Sequence, residues 1–286
     1  MHAKSRRRLT GILIAALFAA LTGRPSWATA DDPADTGTAE RQALLKEMRS
    51  AAAAIKITER AGEKLRPAKL VEEPIFRYSD EQRRIRDATM WVWTEQGRPV
   101  SVMKLERYNF ADPARNWVFN AKSVTPNLLA VTWPFDRQFE STKPGISFQP
   151  LSGGPEFAES KASRLLQLKQ SARRFTATMT GAAADDAKNE MRLLPTPLFR
   201  YASVPGQIAD GALFGLSATG TNPDALIAVQ FRGEGKTARW EFGATGMTNG
   251  GLEIRLDDKP VWSQPYLHNR GQVFETWTWF FSERSE

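Results

Sequence analysis

One five-residue pattern occurs twice in this chain, and it constrains the fold more than any other feature. Residues 74–78 read Pro-Ile-Phe-Arg-Tyr, and residues 197–201, 123 positions later, read Pro-Leu-Phe-Arg-Tyr. The same offset pairs Ile85 with Ile208, Asp87 with Asp210, Gly97 with Gly220, Trp117 with Trp240 and Phe119 with Phe242. A constant offset over such a length indicates a tandem duplication, in which each half of the chain forms a similar unit.

The first thirty residues have the pattern of a signal peptide. A basic stretch at residues 4–8 precedes an apolar run at 11–21, and Ala28-Thr29-Ala30 supplies the small residues that a signal peptidase requires. The apolar run is about half of the roughly 20 residues that span a bilayer, which favours cleavage over anchoring. A twin-arginine signal is the alternative for residues 5–9, but an ordinary secretory signal is simpler. We expect an exported protein of the periplasm, cell surface or medium, without stable membrane insertion after cleavage.

The net charge depends largely on this segment. Residues 1–30 hold five basic and no acidic side chains, so their removal leaves 34 of the 39 basic residues against 32 acidic ones, and the net charge falls from +7 to +2. So small a charge does not favour nucleic acid as a partner. Cysteine is absent, and only His268 remains after cleavage, which excludes disulfides and the usual Cys/His zinc sites. We expect an exposed histidine in a turn, no metal and no cofactor.

Hydrophobic spacing and turn residues predict an α+β fold of two tandem repeats, each an N-terminal helix followed by a mainly antiparallel sheet made of a hairpin and a meander. Apolar residues recur at spacings of three and four from about Thr38 to Ile55, as in a helix, and Pro155 suits the first turn of the second helix. The predicted division is residues 1–30 for the signal peptide, 31–38 for a disordered lead, 39–134 for repeat unit 1, 135–154 for a flexible linker, and 155–286 for repeat unit 2 with a C-terminal aromatic strand extension.

The predicted strands follow the same order in each unit. In the first unit they are 54–59 and 64–70 for the hairpin, then 89–93, 100–108, a strand with Trp117 and 129–133 for the meander. In the second unit they are 174–180 and 191–194, then 212–216, 225–231, a strand with Trp240 and 252–256.

Several segments of the second unit resemble a family of exported planctomycete proteins built on a duplicated Pro-x-Phe/Tyr-Arg-Tyr unit. The segments are residues 193–201, 210–214 (Asp-Gly-Ala-Leu-Phe), 220–223 (Gly-Thr-Asn-Pro) and 239–240 (Arg-Trp). The resemblance covers most of the chain after the signal and implies a bacterial envelope or extracellular setting. No activity is known for that family, so the resemblance transfers no catalytic residue. The first unit departs from the pattern, with Ala-Thr-Met-Trp at 88–91 in place of Gly-Ala-Leu-Phe.

An aspartate follows each repeated arginine at the same distance, Asp87 after Arg77 and Asp210 after Arg200. Because buried charges need partners, the structural interpretation pairs each aspartate with the arginine of its own unit. The alternative brings the two aspartates face to face, as glycoside hydrolysis requires. The residues assigned to structural pairs are Arg77, Asp87, Arg200, Asp210, Tyr78 and Tyr201, the tyrosines as core rings that hydrogen-bond through their hydroxyl groups.

Positions at which the two copies differ are the candidates for a partner surface. Residues 83–86 read Arg-Arg-Ile-Arg, whereas their counterparts at 206–209 include no charge. Trp277 and Trp279 share one face of a strand that has no counterpart in the first unit. Trp91 stands where the second unit has Phe214, so packing in the core competes with binding there. The candidate partner surface comprises Trp277, Trp279, Arg83, Arg84, Arg86 and Trp91.

Two classes of function are compatible with these features. The first is an exported, non-enzymatic binding or structural module of the bacterial envelope, with another envelope protein or a surface polymer as its partner. The second is a polysaccharide-acting hydrolase that uses Asp87 and Asp210 as paired carboxylates. The first is favoured, because the sequence contains no catalytic motif, and the placement of the two aspartates discriminates between them.

Overall fold

The structure is a computed structural model that describes residues 33–112, 116–181, 188–203, 207–268 and 273–282, with side chains from residue 38 onward. Contacts divide the chain into two units, Met1–Ala39 and Glu40–Glu286. The packing described below is that of the second unit. The signal peptide predicted for residues 1–30 lies outside the described residues. Within the described ranges, no helix is both long and apolar enough to cross a membrane.

The described chain is mostly antiparallel β-sheet with two helices, in agreement with an α+β class. The elements of the first half are α1 (Pro33–Ala53), β1 (Lys56–Ala61), β2 (Lys64–Pro67), β3 (Lys69–Leu70), β4 (Phe76–Asp80), β5 (Ile85–Glu95), β6 (Arg98–Tyr108), β7 (Trp117–Ser123), β8 (Leu128–Trp133), β9 (Arg137–Glu140) and β10 (Gln149–Pro150). Those of the second half are α2 (Lys161–Ala172), β11 (Phe175–Thr180), β12 (Asn189–Leu193), β13 (Phe199–Tyr201), β14 (Ile208–Ser217), β15 (Ala225–Arg232), β16 (Arg239–Gly246), β17 (Gly251–Leu256), β18 (Lys259–Gln264) and β19 (Trp277–Ser282).

Both helices begin at places other than those predicted. Helix α1 starts at Pro33, so the lead expected to be disordered at 31–38 is helical from that residue onward; proline suits a first helical turn because its missing N–H would be unbonded there. Helix α2 starts at Lys161 rather than near Pro155. The reason is a cap, since the Ser160 hydroxyl accepts a hydrogen bond from the Ser163 backbone N–H at 3.0 Å.

The predicted hairpins and most of the predicted strand order are confirmed. Strand β1 pairs with β2 and β11 with β12, while β5–β6–β7 and β14–β15–β16 form antiparallel meanders. The fourth strand of each meander was placed wrongly. Strand β8 pairs with β1, and β17 pairs with β11, so each returns to its hairpin instead of continuing the meander. This return closes an apolar core beneath each helix.

Strands β5, β6, β14 and β15 are covered on both faces. One face of β5 and β6 packs with α1 and β8, and one face of β14 and β15 packs with α2 and β17. The opposite faces meet each other in a third core, where Met90, Val92 and Val102 contact the group that includes Leu213 and Leu226. The two large sheets are therefore layered face to face, which explains why these strands lack alternating exposure.

Two segments join the halves more closely than expected. Residues 135–154, predicted as a flexible linker, contain β9 and β10, and they bury Ile146 and Leu151 in the cores. The C-terminal strand β19 does not extend the sheet of the second half. It pairs with β7 of the first half, with Trp277 opposite Lys122 and Trp279 opposite Asn120. Strand β19 is thus an edge strand of the sheet whose other strands come from the first half.

Candidate functional site

The repeated arginines and aspartates pair within their own halves. The Arg77 Nε–H donates to Asp87 Oδ1 at 2.9 Å, and the Arg200 Nε–H donates to Asp210 Oδ1 at 2.8 Å. A second nitrogen of each guanidinium bonds the other carboxylate oxygen, so both contacts are bidentate. Arg164 of α2 adds a further hydrogen bond to Asp210 at 2.8 Å.

Each of these arginines also holds a helix. Arg77 donates to the Arg41 carbonyl of α1 at 2.6 Å, and Arg200 donates to the Lys161 carbonyl of α2 at 2.7 Å. The hydrogen bonds to Asp210 raise the pKa of Arg200. Burial alone would raise the pKa of Asp210, but the hydrogen bonds from its two arginines outweigh burial and lower it.

The two aspartates therefore connect helix to sheet and do not form a pair. Asp87 lies in the six-stranded sheet and Asp210 in the nine-stranded one, each held by an arginine of its own half. Nothing in this geometry favours a hydrolase built on Asp87 and Asp210, because glycoside hydrolysis needs the two carboxylates on opposite sides of one substrate.

The repeated tyrosines are buried and differ in their acceptors. The Tyr78 hydroxyl donates to Glu106 Oε1 at 2.6 Å, whereas the Tyr201 hydroxyl donates to Gln230 Oε1 at 3.0 Å. Burial and the neighbouring Glu106 raise the pKa of Tyr78 far above its usual range. One half thus buries a carboxylate where the other buries an amide.

Glu106 belongs to a row of polar side chains on the sheet face that also presents Val92 and Val102 to the third core. On β6 and β7, Met103, Leu105 and Phe119 face the first core. The alternate residues face the other way. There Lys104 lies directly opposite Asn120 across the strands, and Asn120 lies opposite Trp279 of β19. We call the group formed by Lys104, Glu106, Asn120, Trp277 and Trp279 the polar wall.

The polar wall forms one side of a cleft of about 450 Å³. The other side comes from loops of the second half: the β14–β15 connection supplies Asn222 and Asp224, and the β16–β17 connection supplies residues 247–250. The Met247 backbone N–H donates to the Asp224 carbonyl at 2.7 Å, which joins the two loops. The remaining lining residues are Arg83, Tyr108, Val118, Met179, Thr180, Gly181, Asn189 and Tyr266.

Lys104 stands at the base of the cleft with only 2% of its surface exposed. Its ammonium donates to Asn222 Oδ1 at 2.7 Å. Burial lowers the pKa of Lys104, and the nearby carboxylates of Glu106 and Asp224 offset only part of this effect. A lysine is rarely buried unless it is paired, so its position on a sheet face calls for an explanation other than packing.

Arg83 connects the two halves beside this lysine. Its two terminal nitrogens bond the two oxygens of Asp224 at 2.6 and 3.1 Å, and its Nε lies 3.5 Å from Asp80. Asp224 is fully buried and also accepts from the Ala218 backbone N–H at 3.0 Å. The positive charge of Arg83 is therefore compensated inside the protein, and so is the negative charge of Asp224.

The Glu106 carboxylate accepts hydrogen bonds from two tyrosine hydroxyl groups. Besides the bond from Tyr78, it accepts one from Tyr108 at 3.2 Å. Burial first, and then the proximity of Glu106, raise the pKa of Tyr108, so the phenol stays protonated and keeps donating.

The two tryptophans of β19 contribute indole groups to the cleft. The Trp277 Nε1–H donates to Asn120 Oδ1, and its ring stacks on Phe274 with 4.8 Å between centroids. The Trp279 Nε1–H is buried and bonds no acceptor among the described residues. A buried donor without an acceptor is costly, so this N–H calls for an explanation other than packing.

The structure places the residues of the predicted partner surface in different parts of the molecule. Trp277, Trp279 and Arg83 line the cleft. Trp91, by contrast, is fully buried in the first core, so its assignment to a surface was wrong, because the strand needs apolar bulk there. Arg86 pairs with Glu40 of α1 on the surface.

Arg84, the last residue of the predicted partner surface, and His268 both lie outside the cleft. Arg84 occupies a turn with a φ of 59°, away from the cleft lining. His268 is exposed, as expected, with its ring 4.8 Å from that of Tyr266.

Sequence reasoning missed the polar wall. A signal was present, because Lys104, Glu106 and Asn120 alternate with apolar neighbours, namely Met103, Leu105, Phe119 and Ala121. At an offset of 124, Lys104 corresponds to Ala228 and Glu106 to Gln230, so the second half lacks both charges.

Among the described residues, no group of three or more His, Asp or Glu side chains is arranged to hold a metal ion. Comparison with known protein families, curated proteins and solved structures finds no match. The cleft itself is therefore the evidence on which a function is argued.

Proposed function

We propose that this protein is an exported, non-enzymatic binding module of the bacterial envelope, built from two copies of one helix-and-sheet unit. We further propose that it holds a neutral, polyhydroxylated ligand of the saccharide class in the cleft. The single observation that carries the proposal is the polar wall, a buried lysine, a carboxylate, an amide and two indoles on one sheet face. If that face served packing alone, apolar residues would stabilise it better.

Charge compensation favours a neutral ligand. Arg83 is neutralised by Asp224 and Asp80, and the Lys104 ammonium lies near two carboxylates. A charged ligand would have to displace one of these contacts. A hydroxyl group would not, because it donates and accepts without net charge.

The neutral lining groups suit sugar hydroxyls and the apolar faces of sugar rings. Asn120 and Asn222 each use the amide oxygen within the protein and keep an NH₂ group as a donor. The buried Trp279 Nε1–H adds a donor without an acceptor among the described residues. The partly exposed ring of Trp279 offers apolar surface for the ring C–H groups. A surface polymer of the envelope would present such groups in quantity.

The duplication is supported by paired details. The repeated pentapeptides contribute β4 and β13, which pair with β5 and β14 in the same antiparallel sense. Each half contains an arginine that bridges an aspartate and a carbonyl of the preceding helix. The second half then diverges at the polar wall, and so a single cleft would be expected.

The binding proposal is tested by calorimetric titration with mono- and oligosaccharides and by a glycan array. Trp279→Phe removes the indole N–H and keeps an aromatic ring. We expect it to weaken binding about tenfold, the effect of about 1.4 kcal/mol for one hydrogen bond. Trp262→Phe, in a different cavity, is the matched control and should bind like the parent. Failure of every saccharide to bind at millimolar concentration, or equal affinity of the Trp279→Phe variant, would contradict the proposal.

The export proposal has a separate test. Protein recovered from outside the inner membrane should begin at Asp31, as determined by N-terminal sequencing. A chain that keeps Met1 and stays in the cytosolic fraction would refute export and leave the cleft argument untouched.

A further inference from the structure

A second lysine, Lys122, is buried on the same sheet face. It lies on β7 two residues after Asn120, opposite Trp277 of β19, and 3% of its surface is exposed. It lines a different cavity, of about 690 Å³, together with Phe274, Trp262 and Thr276. Phe274 stacks on Trp277 of the cleft, so this ring pair belongs to both sites.

No carboxylate among the described residues pairs with Lys122. Its ammonium donates to the Thr276 hydroxyl at 2.6 Å. Two carboxylates line the cavity, but Glu275 pairs with Lys143 at 2.7 Å and Glu140 lies 3.7 Å from Arg60. These are the charged groups of the cavity lining, and each of them has another partner.

The electrostatic consequence is a shift in protonation. Burial without a compensating charge lowers the pKa of Lys122 to about 7. At pH 7 such an amine is about half neutral, whereas an ordinary lysine with a pKa of about 10.4 is neutral in roughly one molecule in 2,500. A neutral amine has a free lone pair and is a nucleophile.

We propose that Lys122 captures a small aldehyde or ketone in this cavity as an imine. The Nζ lone pair forms a bond to the carbonyl carbon as the C=O π bond breaks, and one amine proton moves to the carbonyl oxygen to give a carbinolamine. Loss of one water then leaves the C=N bond, so the step needs neither oxidant nor reductant. The hydroxyl of Thr276, 2.6 Å from Nζ, lies close enough to bond the carbinolamine oxygen. Trp262 and Phe274 provide apolar walls for the remainder of the ligand.

The inference is tested by reductive alkylation of the purified, folded protein. Propanal and cyanoborohydride are added at pH 7, and the extent of alkylation of each lysine is measured by peptide mass spectrometry. Lys143, at the same cavity with 63% of its side chain exposed, is the internal control. We expect Lys122 to react at least about tenfold faster than Lys143, a margin well inside the difference in neutral fraction.

The pH profile gives a second readout. The rate at Lys122 should level off above about pH 8, whereas the rate at an ordinary lysine with a pKa of about 10.4 keeps rising towards pH 10. Lys122→Met keeps most of the length of the side chain without an amine and should abolish the fast phase. Equal rates at the two lysines, or alkylation of Lys122 only after urea is added, would overturn the proposal. Because the comparison is made within the parent protein, it does not depend on the folding of a variant.

Discussion

The two repeated tyrosines allow a matched test of what a buried carboxylate contributes to stability. Tyr78 and Tyr201 occupy the same place in the pentapeptide and are equally buried, each with 5% of its surface exposed. Replacing either by phenylalanine removes one hydroxyl and leaves the ring. The difference lies in the acceptor, because Tyr78 donates to the carboxylate of Glu106 at 2.6 Å and Tyr201 to the amide of Gln230 at 3.0 Å.

The expected magnitudes follow from the charge of the acceptor. A hydrogen bond to a charged group contributes about 1.5–3 kcal/mol, and one between neutral groups about 0.5–1.5 kcal/mol. Glu106 keeps a longer bond from Tyr108, at 3.2 Å, which moderates the loss. We therefore expect Tyr78→Phe to lower the free energy of unfolding by about 2 kcal/mol and Tyr201→Phe by about 1 kcal/mol.

The assay is urea unfolding at pH 7, followed by tryptophan fluorescence and circular dichroism, with the slope against urea compared among variants. A third variant isolates the charge. In a Glu106→Gln background the acceptor is neutral, so Tyr78→Phe should then cost about 1 kcal/mol, as Tyr201→Phe does. Equal losses for the two single variants, or an unchanged loss in the Glu106→Gln background, would refute this reasoning.

Three further predictions concern stability. Asp210→Asn should lower the free energy of unfolding by about 3 kcal/mol at pH 7, because it leaves two arginines without their counter-charge. Because the pKa of Asp210 is lowered in the folded protein, its contribution to stability is complete above about pH 4 and is lost below that pH. In urea unfolding, the Asp210→Asn variant should therefore lose less stability than the parent between pH 5 and pH 3. A parallel loss in the two proteins would contradict this. Gly97→Ala should lower the free energy of unfolding by more than about 3 kcal/mol, since a Cβ there would lie 2.3 Å from the Ala202 carbonyl oxygen. Gly220→Ala should lower it by about 1 kcal/mol, because the nearest atom to that Cβ is 3.8 Å away. Thermal unfolding of both variants tests this, and similar losses would argue against the contact. The parent should gain stability as the pH rises from 7 to about 10, because the unfolded chain holds the Lys122 proton that the folded chain has lost. Lys122→Met should lack most of that gain, and an equal gain in both proteins would refute the lowered pKa of Lys122.

Local features of the fold were readable from the sequence. The turn residues and the apolar segments between them located both hairpins and the long strands, because these patterns reflect pairing between neighbouring segments. The equal spacing of Arg77 to Asp87 and of Arg200 to Asp210 predicted their pairing, since buried charges need partners. The start of α2 was missed because Ser160 caps the helix, and a serine within a polar stretch gives a weak signal.

The candidate site could not be predicted from local sequence patterns, because its residues come from distant segments of the chain. Arg83 bonds Asp224, 141 positions away, and Trp277 bonds Asn120, 157 positions away. These contacts depend on the layering of the two large sheets and on β19 pairing with β7. The sequence by itself determined the recurrence of the pentapeptide, the absence of cysteine chemistry and most of the strands. Only the tertiary structure decided where the polar wall lies, because burial of a side chain depends on what packs against it.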